Sequence, residues 1–227
     1  EIWNSSLKNL KYTKHSKPLL KMLGNKGYIC LNATFKTLIP DTMKIDVKRK
    51  LQNYYKNQLK KSPQYHDKIE FKIILDSYNF NTEKILNNLR DNNFSNDEIS
   101  HIRSVIKKHT IFLFNNFENM IKEDDKMIKD LIKKSKSYSD KDSVIDLLSN
   151  IKHNISILKT NGTPQFCRAA RLAFLSKNYF NSLCDVEPGY KNEINDIFCN
   201  IKTVSTNMKN DIIKAKTDRQ KKIFFKK

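Results

Sequence analysis

A chain of 227 residues with four glycines, five prolines and 38% apolar residues is long for one small domain and short for two, and it lacks the turn punctuation that a β-rich fold needs. Its formal charge of +19 comes from 37 lysines and 6 arginines against 24 acids, a diffuse positive field that argues against base-reading nucleic-acid recognition, where arginine forks dominate. No run of about 18 apolar residues occurs, so no membrane-spanning helix is expected.

The 26 asparagines that accompany the lysines fit an AT-rich coding bias, so part of the charge is compositional. Five Asn-x-Ser/Thr triplets carry little weight in so Asn-rich a chain. The opening "EIWNSS" reads as a mature or trimmed start without a signal peptide. Cys30, Cys167, Cys184 and Cys199 form no CxxC pair, which disfavours zinc and thioredoxin-like chemistry. Free buried thiols and long-range disulfides both remain open.

Residues 1–40 read as an irregular arm, with Trp3, Leu7 and Leu10 in one or two helical turns and Lys17-Pro18 as an interruption. A helix follows Pro40, capped by Asp41 or Thr42, with Met43, Val47, Leu51, Tyr54, Tyr55 and Leu59 on one face. Ile69, Ile73, Ile74 and Tyr78 continue the apolar pattern, and Asn81 or Thr82 starts a short helix with Ile85, Leu86 and Leu89 inward.

The longest segment opens with Ser95 and Glu98 as a capping box. Its stripe runs through Ile99, Ile102, Ile106, His109, Leu113, Phe117 and Met120 to Ile128 and Leu131. Neither Gly nor Pro interrupts it over about 40 residues, or about 60 Å of helix. Glu123-Asp124-Asp125 stand where the stripe should continue. Either the helix overhangs there, or a basic neighbour meets the acids.

Ser139 or Asp140 is expected to cap the next helix, whose Val144, Leu148, Ile151, Ile155 and Leu158 alternate at spacings of four and three. Asn161-Gly162-Thr163-Pro164 breaks it, and Pro164 suits the first turn of a new helix. That helix is apolar on two sides, Phe166, Ala170, Ala173 and Phe180 on one and Leu172, Leu175, Tyr179 and Leu183 on the other, which marks a central helix. A last helix of about 35 residues carries Tyr190, Ile194, Ile197, Ile201, Val204, Met208, Ile212 and Ala215 in phase.

The fold class expected is all-α: an elongated antiparallel bundle of about four long rods, with residues 1–40 as an arm and 41–227 as one bundle domain. The helices at 140–160 and 164–184 match the long helix if they stack end to end through a kink at 161–164. A compact hairpin is the rival arrangement.

No catalytic constellation is present: no phosphate loop, HExxH, GxSxG or calcium loop. An enzyme is not expected, and neither a cofactor nor a metal is. His109 in the stripe is expected to be a hydrogen-bonded core histidine. Arg168 and Arg171 lie on the most apolar helix. They would pair with acids such as Glu123 or Asp124, or hold a phosphate near the helix start. Phe112, Phe114 and Phe117 spread over more than one face of the long helix, either as core or as an apolar surface uncovered when the bundle opens on a membrane. The tail "KKIFFKK" places Lys221, Lys222, Phe224, Phe225, Lys226 and Lys227 as candidates for membrane contact.

The Lys/Asn/Ile-rich composition, the opening "EIWNSS", the lack of a membrane-spanning run and the run of long helices together resemble the secreted helical-bundle proteins of malaria parasites, with the sporozoite cell-traversal proteins of the micronemes the nearest in layout; the resemblance rests on layout and not on a diagnostic motif. The resemblance implies a secreted, non-enzymatic protein that acts in host-cell traversal or invasion. Its partner would be a host-cell membrane or a host or parasite surface protein. An interaction module without membrane activity is the alternative, and a nucleic-acid binder the third reading. No site residue carries over from the resemblance.

Overall fold

The computed structural model of the chain describes residues 2–16, 18–139 and 142–214. The fold is all-α. The described residues hold ten helices, with a single two-stranded hairpin: α1 (Ile2–Lys8), β1 (Leu20–Leu23), β2 (Lys26–Ile29), α2 (Leu31–Thr37), α3 (Ile45–Lys61), α4 (Ile69–Lys72), α5 (Thr82–Arg90), α6 (Asn96–Lys134), α7 (Val144–Asn161), α8 (Thr163–Val186), α9 (Lys191–Asn200) and α10 (Val204–Lys214). The chain divides into two compact units, residues 1–182 and 183–227, and not at residue 40.

In the first unit, α6 is the organising element. Its start is the Ser95–Glu98 capping box, in which each side chain meets the other residue's backbone N–H. Ile99, Ile102, Val105 and Ile106 then close an apolar core against Phe35 of α2, Val47, Leu51 and Tyr55 of α3, and Leu86 and Leu89 of α5. A second core follows further along α6, where Leu113 and Met120 meet Leu7, Leu10, Tyr12 and Leu175. Past Met120 no apolar side chain of α6 is buried.

The first forty residues therefore are not an arm. Leu7, Leu10 and Tyr12 are core residues, and so are Phe35, Leu38 and Ile39. The stretches around Tyr12 and Pro40 form an antiparallel bridge, with Thr13 donating its N–H to the Ile39 carbonyl at 2.9 Å. The part that stands clear is the β1–β2 hairpin, in which every strand residue is exposed. It pairs Leu20 with Ile29 through Leu23 with Lys26. Gly24 at φ +58° supplies the left-handed first position of its two-residue turn, where a side chain would be strained.

α7 and α8 run antiparallel to α6. Contacts step back along α6 as they step forward along α7 and α8. Asn154 lies against Lys136, Gln165 against Met127, and Arg168 against Asp124. The two helices stack end to end. Gly162 donates to the Leu158 carbonyl at 3.2 Å and accepts from Phe166 N–H at 3.0 Å, so the helical ladder passes through the kink. α7 is capped by Ser143 with Asp146, beyond the expected Ser139; Asp140, the other candidate, lies outside the described residues.

In the second unit, the expected 35-residue helix is broken. α8 ends at Val186, a 3₁₀ turn covers Pro188–Tyr190, and α9 stops at Asn200. Ile201 is extended, and the Thr203 hydroxyl accepts from Thr206 N–H at 3.0 Å, starting α10 afresh. A threonine that caps the backbone locally competes with continuing the helix. The stripe position Ala215 and the tail lie outside the described residues.

Thr163 is exposed at the junction, so a charge there meets water. Thr163→Asp is expected to leave stability within about 0.5 kcal/mol of wild type in urea denaturation. A loss of several kcal/mol would show a buried turn instead.

Candidate interaction surface

α8 decides how the distal half of the first unit is built. It buries Pro164, Gln165, Arg168, Arg171, Leu175 and Ser182, and leaves Phe166 exposed. This corrects the expectation of a helix apolar most of the way round. Its inward face carries two guanidinium groups, and an ion enters a core only with a partner.

Arg168 finds Asp124. Its Nε lies 3.1 and 2.9 Å from the two carboxylate oxygens, its Nη2 contacts the same group, and its Nη1 donates to the Ser5 carbonyl at 3.4 Å. The bidentate geometry suits a planar fork, and it ties α8, α6 and α1 together. Asp124 interrupts the α6 stripe for this reason, while its neighbour Asp125 pairs with Lys129 at 2.6 Å. With its fork occupied by Asp124 and Ser5, Arg168 has little left to offer a phosphate.

Arg171 finds Asp76, with 5% and 3% of their side chains exposed and 3.9 Å between Nη2 and Oδ2. The pair is looser, and other groups complete it. Asn178 donates to Asp76 Oδ2 at 2.8 Å and Ser77 to Oδ1 at 3.1 Å. Arg171 donates to the Tyr12 hydroxyl at 3.3 Å, and its guanidinium lies 5.1 Å from the centre of the Tyr12 ring. Burial pushes the Asp76 carboxyl above its usual range, against the pull of Arg171 and the two donors.

His109 closes the network from α6. Its Nε2 donates to the Leu10 carbonyl at 2.8 Å, and its ring meets Tyr12 edge to face. Lys11 takes φ +52° between these two residues and lays its ammonium 4.0 Å above the Phe112 ring. Burial, joined by Arg171 and Lys11 and opposed by the Leu10 bond, holds His109 below the ordinary imidazole range. The sequence points to His109, Arg168 and Arg171. It does not point to Asp76, Tyr12 or Asn178. The one available signal was an acid directly after the apolar run Ile73-Ile74-Leu75.

Because α8 turns its polar face inward, apolar groups stand outside. Phe114, Phe117, Leu172 and Tyr179, with the core residues Leu113 and Leu175 and the polar Ser77, Thr110 and Ser176, line an open cleft of about 130 Å³. Phe114 and Phe117 thus belong to a surface and not to the core. On α7 the inversion is more complete. Val144, Leu148, Ile151, Ile155 and Leu158, expected as core, are all exposed, from 45% at Leu158 to 72% at Val144. The half-buried side of α7 is instead Leu147, Asn150, His153, Asn154 and Ile157.

Other candidates are placed as follows. All four cysteines are free, Cys199 exposed and the rest half-buried. Among the described residues no three His, Cys, Asp or Glu side chains converge as a metal site, and no helix is long and apolar enough to cross a membrane. Lys221, Lys222, Phe224, Phe225, Lys226 and Lys227 lie outside the described residues. No known protein family, curated protein or solved structure matches the chain.

Arg171→Met leaves the Asp76 carboxylate buried without its ion partner and is expected to cost roughly 3–5 kcal/mol in chemical denaturation. The double change with Asp76→Leu is expected to cost less than the single one, because both charges are then gone. Burial keeps His109 neutral to lower pH in the fold than in the unfolded chain, which takes up its proton below about pH 6.5. Its contribution is therefore present above that pH and is lost as pH falls toward the lowered folded value. Asp76, raised in the fold, works in the opposite direction. Thermal melts between pH 7.5 and pH 5.5 are expected to show a smaller acid loss in His109→Gln than in wild type, the difference isolating His109.

Proposed function

We propose that the chain is a secreted, non-enzymatic helical docking protein that presents exposed apolar rows to a protein on another surface. The observation that carries this is α7. Its apolar row faces solvent although the helix is held by side-chain hydrogen bonds on another face. A row of this kind on an ordered helix is the form in which soluble proteins keep interaction sites. The resemblance to secreted malaria-parasite bundle proteins supports a host-cell surface, or another secreted parasite protein, as the setting, with traversal or invasion as the process.

Direct contact with an anionic membrane is the second reading. The lysine excess and the exposed Phe114 and Phe117 favour it, since basic and apolar groups together bind lipid head groups and acyl boundaries. Binding of the labelled chain to host-type cells separates the two. Docking to a protein predicts that most of the binding disappears after the cells are treated with protease. Undiminished binding to treated cells, with co-sedimentation of anionic vesicles that weakens with salt, would replace docking by membrane contact.

A further inference from the structure

The rotation of α7 is set by polar contacts. Asn154 grips the backbone of Lys136 from both sides, accepting its N–H at 2.9 Å and donating to its carbonyl at 2.8 Å. His153 Nε2 lies 3.2 Å from the Lys134 carbonyl. These contacts satisfy backbone groups at and just beyond the end of α6, where a helix leaves carbonyls without internal partners. They also turn the apolar row away from α6.

The row has a shape that selects its occupant. Spacings of four, three, four and three from Val144 to Leu158 are the a and d positions of two heptads. At about 100° per residue they fill a sector of about 80°, and the exposed Ile145 extends the apolar surface past one edge of it. Ile145, Lys152 and Lys159, all exposed, run along one edge of the seam, each directly after a seam residue. Leu147 and Asn154 run along the other. Asp146 is the acid of this helix; it points away from the seam and is engaged in the cap with Ser143.

A second copy fits this pattern poorly. Antiparallel pairing sets lysine edge against lysine edge, and parallel pairing sets lysines against Leu147 and Asn154, with no ion pair in either. The chain's +19 charge opposes self-association further. We infer that the α7 seam is the docking site for an amphipathic helix of a partner protein, about four turns long, with apolar a and d residues and acidic residues on its flanks. This rests on the docking reading above and names its partner class.

The test uses the full chain and two labelled helical peptides of about 21 residues, both with leucine at a and d. One has glutamate at the flanking positions and the other lysine. Fluorescence anisotropy is expected to show the glutamate peptide binding at least about tenfold tighter. Leu148→Gln with Ile155→Gln should remove that binding while circular dichroism and the melting temperature hold, both positions being exposed. Equal binding of the two peptides, or of neither, overturns the inference. So does a wild-type dimer in sedimentation equilibrium that the double substitution abolishes. Capture of phosphatidylserine vesicles that depends on Leu148 and Ile155, without peptide binding, overturns it as well. Protease-sensitive cell binding that the double substitution leaves intact would remove the seam as the site and leave docking in place.

Discussion

The buried contact between Arg171 and Asp76 is the constraint on which the rest of the distal structure depends. A guanidinium cannot be neutralised at any accessible pH, so once α8 lies on α6 the charge must either face water or meet an acid. Here it meets Asp76, braced by Asn178 and Ser77, with Tyr12 on its other side. Four segments of chain converge on it: the N-terminal stretch, the loop after α4, α6 through His109, and α8. One rotation of α8 satisfies this pair and the Arg168–Asp124 pair together, since the two arginines are three residues apart on one face.

Such pairs contribute little net stability. Desolvating two ions offsets most of their attraction, and an apolar replacement of equal volume is often as stable. What they supply is orientation. An apolar face slides and rotates against another at small cost, whereas a misplaced buried charge costs several kcal/mol. The same logic operates on a smaller scale in α7, where Asn154 fixes one rotation through two backbone bonds. In both helices polar residues face inward and determine the rotation, and leucine, isoleucine and phenylalanine are displaced to the outside.

That displacement connects the fold to the proposed role. A chain built only to bury apolar area would turn the α7 row inward and leave Asn154 and His153 in water. The opposite choice leaves a seam of defined width, edged by lysine, on a helix that is already ordered. Docking to a prearranged helix avoids the cost of ordering that helix upon binding. The cleft beside Phe114 and the exposed β1–β2 hairpin add further apolar surface to the same unit, so the surplus is spread over several elements.

Local sequence determined the helices themselves. The scarcity of Gly and Pro, the Ser95–Glu98 box and the spacing of Val47, Leu51, Tyr55 and Leu59 are short-range signals, and α3 and α6 follow them. Matching lengths suggested the stack of α7 on α8 but left a hairpin open, and the acids at 123–125 suggested either an overhang or a basic neighbour; the Leu158–Gly162–Phe166 ladder and the Arg168–Asp124 pair decide both. Thr203, which stops α9 from running into α10, was not legible, because the apolar period continues across it unbroken. Tertiary structure alone decided which face of α7 and α8 turns inward and how residues 1–40 enter the core. Asp76 and Arg171 lie 95 residues apart, and Leu10 lies 99 from His109. Periodicity reports how well a face avoids water. It carries no information about where the partner of a buried charge is, and in this protein that partner sets the rotation.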